Sequence, residues 1–283
     1  MKSLTVVSPA KINIYLNVKS KRRDGFHNIE TFMEKISLVD YITFKPNNLN
    51  RVRLFCTLKE LENEQNLALK AARLIVKKFK IKQGFDIFLK KNIPYGAGLG
   101  GASSNAAAVI TGLNEWFDLG LNLAQKYQLG RQLGSDVNFF ISSASFALAR
   151  GKGDIIETIN TDLKLKKILV IFKENNPTFL VYKKFKVRLT KYLDNVKLLT
   201  YALKNKDENL ISSLIFNSLS NIALGMSKTA KRAVNLIIKS GCSEVKVGVT
   251  GSGSSIFFTG QNLNKIKNLL IKEGFMLKEV YTF

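Results

Sequence analysis

The residues of this chain that are best suited to chemistry form a glycine-rich run, PYGAGLGGASSN, at positions 94–105. The run stands between a strand-like segment, FDIFLKK, and a helix-like segment, NAAAVITGLNEWF. Glycine lets backbone amides approach a ligand closely, and a helix that begins directly behind the run adds free N–H donors and the positive end of its dipole. The run therefore predicts a nucleotide phosphate site, with a purely structural turn as the alternative.

Two familiar phosphate motifs do not account for this run. Gly96, Gly98 and Gly101 satisfy the GxGxxG dinucleotide pattern, but that pattern requires a second parallel strand after the helix. The segment LNLAQKYQLGRQLG at 121–134 predicts another helix instead. A Walker A loop requires lysine after its last glycine, and Ala102 stands there. Neither pattern is completed in this chain.

Length and composition predict a globular protein with one large domain or two ordinary ones. The chain has 283 residues, of which 46% are hydrophobic and 23% charged. No apolar run approaches the ~20 residues that span a bilayer, and the N-terminus lacks a signal-peptide core, so we expect a cytoplasmic protein with no membrane partner. Cys56 and Cys242 lie far apart and His27 is the only histidine, which favours neither a protein-held metal site nor a disulfide framework.

The net charge of +23 raises nucleic-acid binding as a rival class of function. The positive charge comes from 35 lysines and only nine arginines, and the lysines are scattered over amphipathic segments. Nucleic-acid readers favour arginine forks, whereas excess lysine often only solvates a surface. We therefore expect no nucleic-acid partner, and a basic surface would also attract anionic nucleotides.

Hydrophobic periodicity predicts which elements position these residues. Strand-like runs at 3–9 and 12–19 are joined at Pro9, where proline favours an edge or a bend, and this would place Lys11 and Asn13 beside a turn. The other elements around the candidate residues are a strand at 85–91, helices at about 103–117 and 122–133, and strands at 243–249 and 256–260 that enclose TGSGSS as a hairpin loop.

Three separated segments together resemble the three motifs of the GHMP kinase superfamily, which includes galactokinase, homoserine kinase and mevalonate kinase. They are SPAKINIYLNV at 8–18, IPYGAGLGGASSNAA at 93–107 and VGVTGSGSSIFF at 247–258. The resemblance implies an α+β, two-domain GHMP kinase fold. It implies an N-terminal ATP-binding domain at 1–157, like domain 2 of ribosomal protein S5, and a ferredoxin-like C-terminal domain at 158–283. The implied activity is that of an ATP-dependent small-molecule kinase that uses Mg2+.

Further segments narrow the resemblance to one branch of the superfamily. PAKIN at 9–13, RRDGFHNIET at 22–31 and LGSDVNFF at 133–140 are similar to kinases that phosphorylate the 2-hydroxyl of a cytidine diphosphate-linked methylerythritol in non-mevalonate isoprenoid biosynthesis. A homoserine or mevalonate type of GHMP kinase is the nearest alternative, and a basic nucleic-acid-binding module is a more distant one. The DGFH element favours the cytidine branch, because the sister kinases have no cytosine to recognise. The oligomeric state, monomer or weak dimer, stays open.

The resemblance also implies the catalytic and ATP-binding residues. Asp136 corresponds to the general base, although it stays open whether this carboxylate removes the proton or only orients the hydroxyl. Lys11 corresponds to the neighbouring lysine, whose charge would lower the pKa of the base and stabilise charge on the attacking oxygen. The residues implied to wrap the ATP phosphates are Pro94, Tyr95, Gly96, Ala97, Gly98, Leu99, Gly100, Gly101, Ala102, Ser103 and Ser104.

The substrate-binding residues follow from the same resemblance. Phe26 and His27 would form one side of a cytidine pocket and Tyr182 the other. Ordinary core packing is the alternative for Phe26 and for Tyr182. The full implied set is Asn13, Phe26, His27, Thr178, Tyr182, Gly251, Ser252 and Gly253. The segments 142–145, 183–191 and 250–255 depart from the family pattern, which leaves the substrate-loop contacts there open.

Overall fold

Two β-sheets with helices packed against them make up a computed structural model that describes residues 2–172, 174, 176–186 and 195–283. Its strands are β1 (Leu4–Lys21), β2 (His27–Asn47), β3 (Val52–Cys56), β4 (Gly84–Lys90), β5 (Phe146–Arg150), β6 (Ile155–Ile159), β7 (Lys166–Ile171), β8 (Phe216–Asn217), β9 (Val245–Val249), β10 (Ile256–Gly260) and β11 (Met276–Tyr281). Its helices are α1 (Leu67–Phe79), α2 (Gly101–Trp116), α3 (Leu123–Gly130), α4 (Val137–Ile141), α5 (Thr178–Lys184), α6 (Asn195–Lys204), α7 (Glu208–Ser213), α8 (Ser220–Met226), α9 (Lys228–Lys239) and α10 (Leu263–Lys272).

The larger sheet has the order β3-β4-β2-β1-β8, and β5 and β6 extend it from β2. The prediction of two strands joined at Pro9 is wrong, because β1 continues from Leu4 to Lys21. Among the described strands only β2 pairs with β1 beside Pro9, because β8 pairs with β1 at Tyr15 and Leu16. The missing proline N–H therefore breaks no ladder described there. The register shifts between Pro9 and Ala10, and such bulges bend a strand and re-aim its side chains.

The smaller sheet has the order β11-β7-β10-β9, with antiparallel neighbours throughout. Helices separate β7 from β9 and α10 separates β10 from β11, so the four strands follow the βαββαβ pattern of a ferredoxin-like fold. The predicted hairpin is confirmed, because Val249 pairs with Ile256 and the intervening loop is 250–255. The predicted α+β class is therefore confirmed. A domain boundary after residue 157 stays a prediction.

One apolar core and one buried ion pair join the two sheets. Ile12 and Phe32 of the larger sheet share a fully buried cluster with Leu169 and Phe257 of the smaller sheet. The ammonium of Lys167 on β7 lies 2.9 and 2.7 Å from the two carboxylate oxygens of Glu34 on β2. Because a buried charge is tolerated only with its partner, this pair ties β2 to β7 in one arrangement.

Lys35→Met is expected to raise the free energy of unfolding at pH 7 by about 1–3 kcal/mol. Burial lowers the pKa of Lys35 from the usual 10.5 to about 8, and its ammonium contacts the Ser142 carbonyl and the Phe139 ring with no ion pair among the residues that the structure describes. Between about pH 8 and pH 10.5 the Lys35 side chain binds more protons in the unfolded chain than in the folded one. The stability of wild type therefore rises with pH in this range, and the stability advantage of the variant shrinks. Urea unfolding of wild type and variant at pH 7 and pH 10 measures the difference in the free energy of unfolding at each pH.

The matched control is Lys45→Met, because Lys45 also lies over an aromatic ring, that of Phe88, but is exposed. We expect this control to change stability little at either pH. A Lys35→Met variant that is less stable than wild type at pH 7, with a difference independent of pH, would contradict the prediction.

Candidate active site

The glycine-rich loop links the end of β4 to the start of α2 and adopts a conformation that only glycine favours. Gly96, Gly98 and Gly100 have φ angles of 71, 75 and 71°, in the left-handed region. Ala97 and Leu99 alternate with them and are buried, which fixes the loop to the core below. No side chain caps α2, so the amides at its first turn lack an intrahelical partner. Such free amides suit an anionic phosphate.

The side chains of the predicted phosphate loop do not all face one way. Tyr95 is exposed, whereas Ser104 is buried and its hydroxyl accepts a hydrogen bond of 2.7 Å from Ser8. Ser103 is partly exposed, and its Oγ would lie 3.7 Å from a Cβ placed on Gly134. The Ser103 hydroxyl therefore lies close to the segment that carries Asp136.

The three motif segments, distant in sequence, meet at this loop. The Lys11 amide donates to the Leu99 carbonyl at 2.9 Å, and the Ser255 amide donates to the Ala97 carbonyl at 3.3 Å. The Thr250 hydroxyl donates to the Gly98 carbonyl at 3.1 Å. Backbone and side-chain hydrogen bonds thus hold the loop between β1 and the 250–255 hairpin.

Lys11 and Asp136 form an ion pair beside the loop, with Nζ 3.6 Å from Oδ2. The Lys11 side chain is only 6% exposed, whereas that of Asp136 is 29% exposed and caps no helix amide. Burial lowers the pKa of Lys11, and the Asp136 carboxylate partly offsets this. The pair therefore offers a carboxylate open to a ligand and a cation that water screens poorly.

A chain of hydrogen bonds fixes the direction of the Lys11 side chain. Its Nζ donates to Asn13 Oδ1 at 2.6 Å, Asn13 Nδ2 donates to the Thr31 hydroxyl at 2.7 Å, and that hydroxyl donates to the Tyr15 carbonyl at 2.7 Å. A Cβ placed on Gly251 would lie 3.4 Å from Lys11 Nζ. The Lys11 ammonium thus lies against the 250–255 loop. The side chain of Asn13 accepts its hydrogen bond and does not project freely into the site.

The predicted cytidine-binding aromatic residues lie near this pair. The His27 and Tyr182 rings are 5.3 Å apart, centroid to centroid, and tilted by 37°. Burial and, to a lesser extent, the Asp136 charge raise the pKa of Tyr182, so its phenol stays protonated. Burial and the nearby Lys21 charge lower the pKa of His27, which favours neutral imidazole at pH 7. A base between two rings needs about 7 Å, so in this conformation the two rings contact each other directly.

The remaining predicted substrate residues divide between the centre and the rim. The Thr178 and Ser252 hydroxyls are 2.9 Å apart, which joins the start of α5 to the 250–255 loop. Phe26 is 56% exposed and lies at the rim. Of the divergent segment 183–191, residues 187–191 lie outside the described residues.

Sequence reasoning missed Asn217, a support of the 250–255 loop. Its amide donates to the Val249 and Gly251 carbonyls, each at 2.8 Å, from the short strand β8. The hydrophobic pattern of residues 207–218 predicts a helix, and a lone asparagine in such a pattern gives no signal of this role. The buried Ser254 and Ser255 hydroxyls in the same loop have no hydrogen-bond partner among the described residues.

A second missed feature is a buried polar cluster beneath the start of α2. The Asp40 carboxylate pairs with Lys91 and accepts hydrogen bonds from the Asn92 amide at 2.7 Å and the Ile93 amide at 2.8 Å. It also accepts from Asn105 Nδ2 on α2 at 2.9 Å. One carboxylate therefore fixes both ends of the glycine-rich loop.

Asp40→Asn is expected to lower the free energy of unfolding by about 3–5 kcal/mol, because it leaves the buried Lys91 ammonium without a carboxylate. The Lys91 side chain is 4% exposed. Urea denaturation measures the loss, and the double variant Asp40→Asn/Lys91→Met, which removes both charges, should recover part of it. Strictly additive effects of the two substitutions would contradict the coupling.

A cavity of about 600 Å³ opens elsewhere, between β1, β8 and the end of α5. Asn17, Lys184 and Asn217 are among its lining residues, and none of the predicted site residues lines it. Among the described residues, no group of three or more histidine, cysteine, aspartate or glutamate side chains is placed to hold a metal ion. None of the described helices is long and apolar enough to cross a bilayer.

Comparison with known proteins agrees with this geometry. The family model for the GHMP kinases N terminal domain matches residues 66–149. A 4-diphosphocytidyl-2-C-methyl-D-erythritol kinase from Prochlorococcus marinus (strain AS9601) is 35% identical over 98% of this chain and 92% of its own length. A protein of the same name from Clostridioides difficile (strain 630) is 33% identical over 99% and 95%. A crystal structure of 4-(cytidine 5'-diphospho)-2C-methyl-D-erythritol kinase, 27% identical, matches with a TM-score of 0.79 over 98% of each chain.

The two sheets, the glycine-rich loop and the family match define a kinase of the GHMP superfamily, an enzyme that uses ATP to phosphorylate a small molecule. Within that superfamily, near-full-length identity of 33–35% decides the branch. The chain belongs to the 4-diphosphocytidyl-2-C-methyl-D-erythritol kinase family.

Proposed function

We propose that this protein transfers the γ-phosphoryl group of ATP to the 2-hydroxyl of 4-diphosphocytidyl-2-C-methyl-D-erythritol, yielding the 2-phosphate and ADP in non-mevalonate isoprenoid precursor biosynthesis. The observation that carries the proposal is the Lys11–Asp136 pair, 3.6 Å apart, beside a glycine-rich loop that opens a helix. The nearby His27–Tyr182 contact supports a cytidine substrate. The names of the related kinases give the acceptor.

In the proposed mechanism Asp136 accepts a hydrogen bond from the acceptor hydroxyl and receives its proton as the new bond to phosphorus forms. Its side chain is free for this because it caps no amide of α4. Lys11 stabilises negative charge on the attacking oxygen and the transferred phosphoryl group. Since the Lys11 ammonium is buried, its charge acts in a medium of low dielectric constant and is worth more than in water.

The loop from Pro94 to Ser104 would hold the ATP phosphates through its backbone amides and the start of α2. The donor set fits, because no side chain caps the amides at the first turn of α2. Mg2+ would be held mainly by the phosphates and water, which suits a site with few protein carboxylates. When bound, it neutralises charge on the transferred phosphoryl group.

The substrate would lie with its polyol end near Asn13, Gly251, Ser252 and Gly253 and its cytosine near Phe26, His27, Thr178 and Tyr182. Because the His27 and Tyr182 rings are 5.3 Å apart, a base enters only if one of them moves. We also propose a cytoplasmic protein with an ATP-binding domain at 1–157 and a second domain at 158–283, acting on a small molecule and not on nucleic acid.

The test is ADP release from Mg-ATP by purified protein, with diphosphocytidyl-methylerythritol, homoserine and mevalonate offered in parallel. We expect turnover with the cytidine substrate alone. Turnover with homoserine or mevalonate instead would retain the kinase and discard the cytidine pocket. Silence on all three acceptors together with tight RNA binding would overturn the proposal.

A further inference from the structure

Lys152 lies at the tip of a tight turn that connects β5 to β6. The Gly151 carbonyl accepts a hydrogen bond of 2.7 Å from the amide of Ile29, and Ile29 follows His27 by two residues. At the other end of the turn, the Asp154 carbonyl accepts from Asn138 Nδ2 at 3.4 Å, two residues after Asp136. The turn is thus tied to both the proposed cytidine pocket and the proposed catalytic carboxylate.

The turn also lies close to Asp136 and to Phe26. A Cβ placed on Gly153 would lie 3.7 Å from Asp136 Oδ1, so the turn backbone passes directly beside the carboxylate. The Lys152 ammonium lies over the Phe26 ring, 5.4 Å from its centroid. The Lys152 ammonium therefore lies beside the position proposed for the cytosine, on a turn that also passes the position proposed for the reacting hydroxyl.

The Lys152 charge is available to a ligand. In the part of the chain that the structure describes, no carboxylate forms an ion pair with it, and the side chain is partly buried. The Lys152 charge helps to lower the pKa of Asp24, after the larger effect of Arg22. The Asp24 carboxylate already pairs with Arg22 at 3.0 Å. Asp154 is engaged by the Lys152 backbone amide, at 3.3 Å, and not by its ammonium.

We propose that Lys152 binds the diphosphate that joins the cytidine to the polyol, and that it thereby selects a nucleoside diphosphate-linked substrate. This inference rests on the proposed function. If the polyol hydroxyl reaches Asp136 and the cytosine reaches Phe26 and His27, the two phosphates must lie between these two places. The turn that carries Lys152 runs beside both of them. An ammonium opposite two phosphate groups forms charge-assisted hydrogen bonds, which are about twice as strong as neutral ones.

The experiment compares binding of cytidine, CMP and CDP to wild type, Lys152→Met and Lys152→Arg by calorimetry, with kcat and KM for the diphosphocytidyl substrate. Methionine keeps an apolar stem over Phe26, so it removes the charge with little change in packing. We expect CDP binding to weaken about tenfold in Lys152→Met with cytidine binding unchanged, KM to rise about tenfold and kcat to stay within about twofold. Lys152→Arg should restore most of both losses.

Lys239→Met is the control for overall charge, because it removes one exposed lysine from the end of α9. We expect it to bind CDP as wild type does. The inference would be overturned if Lys152→Met lost the same affinity for cytidine as for CDP, or if it bound CDP as wild type does. In either case, turnover of the diphosphocytidyl substrate by wild type would leave the proposed function intact. Wild type that neither binds cytidine nucleotides nor turns over the diphosphocytidyl substrate would overturn both.

Discussion

Asp136→Asn is expected to lower kcat by about 10²–10⁴-fold while the protein stays folded and binds ATP within a few-fold of wild type. Asparagine keeps the shape of the side chain but cannot accept the hydroxyl proton. Asp136 caps no helix amide, so the variant loses the ion pair with Lys11, and the Lys11 ammonium keeps its hydrogen bond to Asn13. Single-turnover quench experiments with saturating Mg-ATP, together with thermal unfolding, measure both parts of this expectation.

The pH profile of the same variant tests the link to Lys11. The Asp136 carboxylate raises the pKa of Lys11 against the larger lowering by burial, so its removal lowers that pKa further. The alkaline limb of residual kcat against pH should therefore move to lower pH in Asp136→Asn.

Glu115→Gln supplies the control, since it removes one exposed carboxylate from α2. Its kcat and pH profile should match those of wild type. Near-normal turnover of Asp136→Asn would exclude both the proton-accepting and the orienting role of this carboxylate.

Gly98→Ala is expected to weaken ATP binding by about two orders of magnitude or more. Its Cβ would lie 2.4 Å from the Thr250 carbonyl oxygen and 3.0 Å from that of Gly253, and both contacts are backbone atoms of the 250–255 loop. The residue also holds a φ of 75°, which costs a non-glycine residue about 1–3 kcal/mol. The phosphate loop and the hairpin loop must therefore separate. Calorimetric titration with Mg-ATP measures the loss.

Gly120→Ala is matched to this variant in backbone conformation but not in contacts. Its φ is 62°, and a Cβ there meets nothing within 4 Å. It should therefore lower the melting temperature slightly through backbone strain alone and leave the Kd for ATP unchanged. Equal ATP affinity in Gly98→Ala and Gly120→Ala would show that the contact between the two loops does not shape the ATP site.

The sequence alone determined the local conformation of the phosphate loop, whereas the class of fold followed from the resemblance of the motif segments to a family. The loop conformation depends on short-range effects: glycine spacing favours left-handed conformations, and a helix that follows directly supplies free amides. The hairpin around 250–255 was predictable for the same reason, because two strand-like runs flank a glycine- and serine-rich stretch. Lys11 and Asp136 were identified by resemblance to a family, and their roles stay predictions.

Only the tertiary structure decided how these segments meet. The continuity of β1 through Pro9 depends on which neighbouring strand is absent there, and local periodicity carries no record of that. The pairing of Asp40 with Lys91 joins residues far apart in sequence, and so do the contact of His27 with Tyr182 and the approach of Lys152 to Phe26. Such pairs depend on strand register and on packing between sheets, so only the folded chain brings each carboxylate, ring or ammonium to its partner.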